Sequence, residues 1–165
     1  MGKSNTNNIG LAGEFAVLSR LLLHGYDVSI TFGNTKGTDI LAFHPESKNK
    51  YRVEVKTTEN SIKKDWQFGK IIEWTMNAKH EQIKADDLFY CFVSVPESKN
   101  DAFRFFIIPS KVVADWIVEG RKLYAKGGRK VAKAKRGFRL GFKGASKPKS
   151  IPLAEDYENN WNFKA

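Results

Sequence analysis

The chain has 165 residues, 41% of them hydrophobic, which suits one domain with a substantial core. A formal net charge of +10 favours a polyanionic partner. The single cysteine, Cys91, excludes an internal disulfide and a thiolate zinc site, and no segment is long and apolar enough to span a membrane, so we expect a cytoplasmic protein without a membrane partner.

The excess positive charge lies in one segment. Residues 121 to 149 contain 12 of the 28 Lys and Arg residues and no Asp or Glu. Such a segment favours binding to nucleic-acid phosphates, and a Lys-rich tail that aids solubility is the alternative. We divide the chain into a main domain, residues 1 to 126, and a basic C-terminal extension, residues 127 to 165, which packs on that domain or extends from it.

The first half of the chain predicts one helix followed by three strands. Apolar residues recur at helical spacing over residues 8 to 24. This amphipathic helix would bury a stripe of four side chains: Leu11, Phe15, Leu18 and Leu22. Gly10 and Gly13 would thin the surface of the helix and permit a close approach. Strands are predicted at Asp27 to Phe32, Thr38 to His44 and Tyr51 to Thr57.

The second half continues with helix, strand, strand and helix. Ile71 to Ala85 has apolar residues at helical spacing, whereas Leu88 to Val95 is almost continuously apolar, as in a strand covered on both faces. Phe103 to Ile108 predicts a further strand, after which Pro109 and Ser110 start a helix. The order α-β-β-β-α-β-β-α predicts an α/β fold in which helices flank a mixed central sheet, with a basic C-terminal extension.

The C-terminal extension carries two apolar patterns. Phe138, Leu140 and Phe142 alternate with basic or small residues, which predicts a short edge strand or a hairpin arm. Three aromatic side chains follow near the C-terminus: Tyr157, Trp161 and Phe163. They either dock the tail on the main domain or leave it loose, and the sequence does not decide between the two.

Two acids and a lysine near the ends of adjacent predicted strands form the strongest candidate site. Asp39 opens one strand, and Glu54-Val55-Lys56 lies near the end of the next. Because side chains alternate along a strand, Glu54 and Lys56 share a face. Asp39, Glu54 and the carbonyl of Val55 offer oxygen ligands for Mg²⁺ or Mn²⁺, and Lys56 would orient or deprotonate an attacking water. Cross-strand ion pairs on a solvated face are the alternative.

A further acid, Glu14, lies at the shoulder of the first helix, either facing solvent or directed at the sheet end where Asp39 emerges. Gly13-Glu14, Gly37-Thr38-Asp39 and Glu54-Val55-Lys56 resemble the PD-(D/E)XK nuclease superfamily, which includes restriction endonucleases and archaeal Holliday-junction resolvases. The resemblance implies a restriction-endonuclease-like core, Asp39 and Glu54 as metal ligands, and Lys56 as the catalytic lysine. It also implies that Glu14 is the first-helix acid of resolvase-like members.

The resemblance covers residues 8 to 95 and implies a Mg²⁺- or Mn²⁺-dependent DNA endonuclease, either restriction-like or resolvase-like. Two departures are Gly37-Thr38 in place of a Pro before the Asp, and Asn7 to Gly10 where archaeal resolvases carry a basic signature. A non-catalytic nucleic-acid-binding module with the same fold is the alternative, and an RNA substrate stays open. Cutting both strands needs two sites, so a homodimer is compatible with this function.

DNA, duplex or branched, is the expected partner, and several polar residues are candidate contacts to it. These are Lys36, Thr57, Lys63, Lys64, Lys79, Arg129, Lys130, Lys133, Lys135, Arg136 and Arg139. They would bind mainly phosphates, which gives affinity with little reading of base sequence. His80, beside Lys79, is either another phosphate contact or an ordinary surface residue.

Overall fold

Two β-sheets and two helices make up the fold in a computed structural model that describes residues 5–31, 37–59, 62–65, 68–98, 100–125, 136–146 and 151–164. The helices are α1 (Thr6–Leu23) and α2 (Ser110–Ala125). The strands are β1 (Asp27–Ile30), β2 (Ile40–Phe43), β3 (Lys50–Thr58), β4 (Lys63–Asp65), β5 (Gly69–Thr75), β6 (Leu88–Ser94), β7 (Arg104–Pro109) and β8 (Gly137–Ser146). Short 3₁₀ helices lie at Ala78–Glu81 and Ala154–Asp156.

The central sheet has five strands in the order β1-β2-β3-β6-β7. Its β3 and β6 are parallel and its other neighbours are antiparallel, so the sheet is mixed. A second, antiparallel sheet has the order β4-β5-β8. The predicted α/β class with a mixed central sheet is confirmed. No helix in the described part of the chain is long and apolar enough to cross a bilayer.

Strand β6 is buried on both faces because it lies between two apolar layers. On one face, the ring of Phe92 packs against Trp74 of β5 and Phe138 of β8, with ring centroids 5.0 and 4.5 Å apart. On the other face, Cys91 joins the cluster that includes Val17 of α1. The predicted strand covered on both faces is confirmed. Its burial fixes the register against β3, which carries the candidate site.

Helix α1 buries a different face from the one that its apolar spacing predicted. Leu11 and Phe15 are 47% and 52% exposed, and Leu22 is also exposed. The buried positions are Gly13, Val17 and Leu21. The predicted stripe is therefore wrong for Leu11, Phe15 and Leu22, whereas Leu18 is partly buried and packs against the core. The helix is rotated so that the face with Gly13, Val17 and Leu21 lies against the sheet.

Gly13 gives the physical reason for this orientation. A Cβ atom at Gly13 would lie 1.9 Å from Oγ1 of Thr57 on β3, so α1 lies this close to the strand only with glycine at that position. The same hypothetical atom at Gly10 has nothing within 4 Å. The predicted close approach is therefore confirmed for Gly13 and wrong for Gly10.

The segment predicted to form a second helix folds instead as β5 followed by a 3₁₀ helix. Ile71, Ile72 and Trp74 are buried β-branched or aromatic residues, which favour a strand when a partner strand is available. That partner is β8, which pairs with β5 from Ile71 to Thr75. The predicted helix over Ile71 to Ala85 is therefore wrong. The prediction used only the spacing of apolar residues within the segment, which does not reveal a partner strand that lies far away in the chain. The α/β class is unaffected.

The C-terminal tail docks on the main domain. The side chains of Trp161 and Phe163 are buried, and the Tyr26 hydroxyl donates a hydrogen bond of 2.9 Å to the Trp161 carbonyl. Arg104 of β7 donates two hydrogen bonds, of 2.7 and 2.9 Å, to the Glu158 carboxylate. Of the two alternatives for the tail, the structure shows docking. Strand β8 lies at the edge of the second sheet, as the alternating pattern predicted.

We expect Gly13→Ala to lower the free energy of unfolding by about 2 kcal/mol, because the cost of overpacking against Thr57 exceeds the gain in helix propensity. Gly10→Ala, on the same helix and with open space around it, is the matched control and should be neutral or stabilise the fold by up to about 1 kcal/mol. Urea denaturation measures both changes. A Gly13→Ala variant as stable as Gly10→Ala would contradict the close approach.

Candidate functional site

The backbone of Asp39 is held between two strands just before β2 begins. Its N–H donates to the Val53 carbonyl at 2.9 Å, and its own carbonyl accepts from the Thr31 N–H at 2.9 Å. The Thr31 hydroxyl also donates to the Thr38 carbonyl at 2.5 Å. The pairing of β1, β2 and β3 thus extends through Asp39, and this fixes the position from which its side chain leaves the sheet.

The Asp39 carboxylate reaches across to β3. Its Oδ2 accepts a hydrogen bond of 2.7 Å from the Val55 N–H. Burial raises the pKa of Asp39, whereas the Val55 N–H and the Lys56 ammonium act to lower it and the Glu54 carboxylate acts to raise it further; the net result is a raised pKa. Two acids are therefore close enough to affect each other's protonation, as expected of groups that share a cation.

Glu54 is the most buried charged side chain of the site, with 2% of its surface exposed. Its Oε1 lies 2.8 Å from the Lys56 Nζ and 3.6 Å from the Lys79 Nζ. Burial alone would raise the pKa of Glu54, but the charges of Lys56 and Lys79 and a hydrogen bond from Lys56 hold it below its usual value. Glu54 is thus an anion inside the protein, stabilised by nearby cations.

Lys56 contacts two of the groups expected to bind metal. Besides its ion pair with Glu54, its ammonium donates a hydrogen bond of 3.3 Å to the Val55 carbonyl. The prediction that Glu54 and Lys56 share one face of the strand is confirmed by this ion pair. Lys56 is partly exposed, so one side of the ammonium stays accessible from outside.

Glu14 of α1 lies close enough to the same site for the charges of Asp39 and Lys56 to act on its carboxyl. Burial and the negative charge of Asp39 raise the pKa of Glu14, while the Lys56 ammonium acts to lower it. Of the two orientations considered from the sequence, the structure therefore supports the one toward Asp39. The close contact between α1 and β3 at Gly13, one residue earlier, brings Glu14 to the sheet.

The donor set fits a small divalent cation. Oε2 of Glu54 is buried and, within the described part of the chain, has no hydrogen-bond partner, so one carboxylate oxygen is left for a ligand. Gly37 leaves room beside it, since a Cβ there would lie 3.5 Å from Oε2 and the φ of +80° favours glycine. Among the described residues no group of three or more His, Cys, Asp or Glu could hold a metal ion. The fit therefore rests on two carboxylates and a carbonyl.

The structure separates the predicted DNA contacts into three groups. Lys63 and Arg139 each lie 2.5 Å from the Glu73 carboxylate, and Arg136 pairs with Glu81, so these three cations are partly neutralised within the fold. Lys64 and Lys79 are exposed. The remaining basic positions lie outside the described residues: Lys36, Arg129, Lys130, Lys133 and Lys135.

Thr57 and His80 are placed differently from what a DNA contact requires. Oγ1 of Thr57 is buried against α1, where a nucleic acid does not reach it. His80 is 1% exposed, so both alternatives from the sequence, a phosphate contact and an ordinary surface residue, are wrong. Its Nε2 instead lies 3.8 Å from Oε1 of Glu54, and its Nδ1 lies 2.9 Å from the Tyr90 hydroxyl.

Sequence reasoning missed Tyr90 altogether. It stands opposite Glu54 in the parallel pairing of β3 with β6. Burial and the Glu54 carboxylate raise its pKa. A tyrosine inside an otherwise apolar strand was the available signal, because a buried hydroxyl needs a hydrogen-bond partner.

We expect Lys56→Met to lower the free energy of unfolding at neutral pH by about 2 kcal/mol, because Glu54 loses its nearest cation while staying buried. The folded-state pKa of Glu54 lies below its usual value of 4.5, so the pair stabilises the fold above that pH and the contribution is lost as the pH falls. The stability difference should therefore shrink on acidification in urea denaturation series. A pH-independent difference would show that the ion pair is not its cause.

Comparisons with known proteins identify a similar solved structure, but they do not identify a family from the sequence. No protein-family model and no curated protein sequence matches the chain. Among solved structures, the chain is similar to that of a bacterial homing endonuclease, I-Ssp6803I, with a TM-score of 0.55 and 17% sequence identity. The similarity covers 98% of this chain and 91% of the other. It shows that the two chains share a fold along almost their entire length.

Proposed function

We propose that this protein is a metal-dependent DNA endonuclease of the PD-(D/E)XK type. The observation that carries the proposal is the buried Glu54 carboxylate, which has one oxygen paired with Lys56 and the other without a partner among the described residues. Asp39 and Glu14 interact electrostatically with the same group of charges. An acidic cluster with a lysine and an unsatisfied buried oxygen is suited to a divalent cation and a phosphodiester.

In this proposal Asp39, Glu54 and the Val55 carbonyl hold Mg²⁺ or Mn²⁺. When bound, the cation neutralises charge on the scissile phosphate and makes a bound water more acidic. The Val55 N–H orients Asp39, since it fixes Oδ2 at 2.7 Å. Lys56, partly exposed beside Glu54, donates to the attacking water or to a phosphate oxygen. Glu14, with its raised pKa, completes the acidic side of the site.

The shared fold adds support for a DNA substrate. The similar solved structure is that of a homing endonuclease, and the similarity extends over 98% of this chain. The basic excess of the sequence suits the same polyanion. A restriction-like action on duplex DNA and a resolvase-like action on branched DNA are the two forms of this proposal. Cutting both strands would use two copies of the site, for which a homodimer is the simplest arrangement.

A non-catalytic DNA-binding module is the second candidate, and one observation favours it. The Lys56 ammonium contacts both Glu54 and the Val55 carbonyl, so two of the proposed ligand groups already have a cation beside them. In that case the site would be a structural ion pair. Binding without cleavage in the presence of Mg²⁺ or Mn²⁺ would distinguish this candidate from the nuclease.

The nuclease proposal is tested with supercoiled plasmid and a four-way junction in Mg²⁺, Mn²⁺ or EDTA. We expect metal-dependent cleavage that falls by at least about 100-fold in Asp39→Ala and in Lys56→Ala. Glu46→Ala, which removes an exposed acid in the turn between β2 and β3, is the matched control and should cleave like the wild type. Cleavage that survives Asp39→Ala would overturn the assignment of the site. The preferred substrate separates the two forms of the proposal.

DNA affinity gives a separate prediction for Lys79. Its side chain is 47% exposed, and its Nζ lies 3.6 Å from Oε1 of Glu54, at the edge of the site. Lys79→Ala should weaken DNA binding in Ca²⁺ and reduce the slope of log affinity against log salt by about 1. Lys84→Ala is the control, because Lys84 is 48% exposed but pairs with Asp115 at 2.5 Å. Equal slopes for the two variants would exclude a phosphate contact by Lys79.

A further inference from the structure

His80 and Tyr90 form a buried polar pair beneath the proposed site. The His80 side chain is 1% exposed and Tyr90 is fully buried. Nδ1 of His80 lies 2.9 Å from the Tyr90 hydroxyl, and Nε2 lies 3.8 Å from Oε1 of Glu54. Neither side chain reaches a substrate from this depth. Their polar atoms nevertheless face each other and Glu54, although an apolar pair would fill the same volume at a lower cost of desolvation.

The protonation of the imidazole follows from its two neighbours. The ring is 1% exposed, and this burial disfavours a second proton on it. A neutral imidazole carries one N–H, and the position facing the Glu54 carboxylate is the favourable one for it. Nδ1 then accepts the hydrogen bond from the Tyr90 hydroxyl. The dipoles of the Tyr90 hydroxyl and the His80 imidazole then point in the same direction, with their positive ends toward Oε1 of Glu54.

The element that carries His80 is itself anchored. His80 lies in the 3₁₀ helix Ala78–Glu81, and the Glu81 carboxylate accepts hydrogen bonds of 2.7 and 2.8 Å from Arg121 of α2. Arg136, just before β8, donates to the same carboxylate. These contacts, together with the register that places Tyr90 opposite Glu54, fix the imidazole relative to the carboxylate.

We propose that His80 is a positioning residue, which together with Tyr90 orients Glu54 so that Oε1 is held and Oε2 is presented to the metal. This inference rests on the proposed nuclease function. It assigns a role to two buried polar residues whose desolvation would otherwise only destabilise the core. Groups that orient a metal ligand commonly change metal affinity or activity by about 10- to 100-fold when they are removed.

The test compares His80→Leu, which removes both ring nitrogens, with His80→Gln, whose amide replaces the group that faces Glu54. We expect His80→Leu to slow plasmid cleavage at saturating Mn²⁺ about 10- to 100-fold and to weaken Mn²⁺ binding in calorimetry by a similar factor. His80→Gln should keep most of both. A purely structural role predicts instead that both quantities follow thermal stability, so the melting temperature of each variant is measured alongside.

Tyr90→Phe keeps the test decisive where His80→Leu does not fold. It removes a single oxygen atom and should lower cleavage and Mn²⁺ affinity in the same direction, by less than His80→Leu. Wild-type Mn²⁺ affinity in a folded His80→Leu, or in Tyr90→Phe, would overturn the positioning role while leaving the nuclease proposal intact. A wild-type protein that binds Mn²⁺ without cleaving DNA would overturn the nuclease alone, and one that does neither would overturn both.

Discussion

A carboxylate buried inside the protein is the constraint on which the rest of the site depends. Glu54 is 2% exposed and stays negative because Lys56 lies 2.8 Å from Oε1. An ionised carboxylate at this depth is costly unless cations and dipoles surround it, so each neighbouring element contributes one. Strand β3 carries Lys56, and the 3₁₀ helix carries Lys79 and His80. The position of the 3₁₀ helix beside β3 is thus supported by its electrostatic contacts with Glu54.

Part of the basic character of the chain serves this architecture. Glu81 holds Arg121 and Arg136, and Glu73 holds Lys63 and Arg139. The Glu73 pairs tie β4 and β8 to β5, and the Glu81 pairs tie α2 and the residue before β8 to the 3₁₀ helix. The count of 28 Lys and Arg residues therefore overstates the cations left for a nucleic acid, because several serve as internal cross-links.

The sequence predicted the parts of the site that depend on local rules. Alternation along β3 placed Glu54 and Lys56 on one face, and glycine at position 13 indicated a close helix approach. The sequence did not predict the features that depend on contacts between residues far apart in the chain. The segment from Ile71 to Ala85 has helical spacing, yet it pairs with a strand from the other end of the chain. His80 and Tyr90 are likewise brought together only by that fold, so no spacing rule relates either residue to Glu54.

The unpaired oxygen of Glu54 weighs against a purely structural ion pair. A buried pair that serves stability alone gains most when every lone pair is satisfied, and an orphaned carboxylate oxygen works against it. Within the described residues Oε2 has no hydrogen-bond partner, and a Cβ atom at Gly37, whose φ is +80°, would lie 3.5 Å from it. Space and an unsatisfied acceptor at the same point are an arrangement that a bound cation would complete. Without a ligand, this arrangement of Glu54 lowers the stability of the fold, as expected of a residue whose role is to bind a ligand.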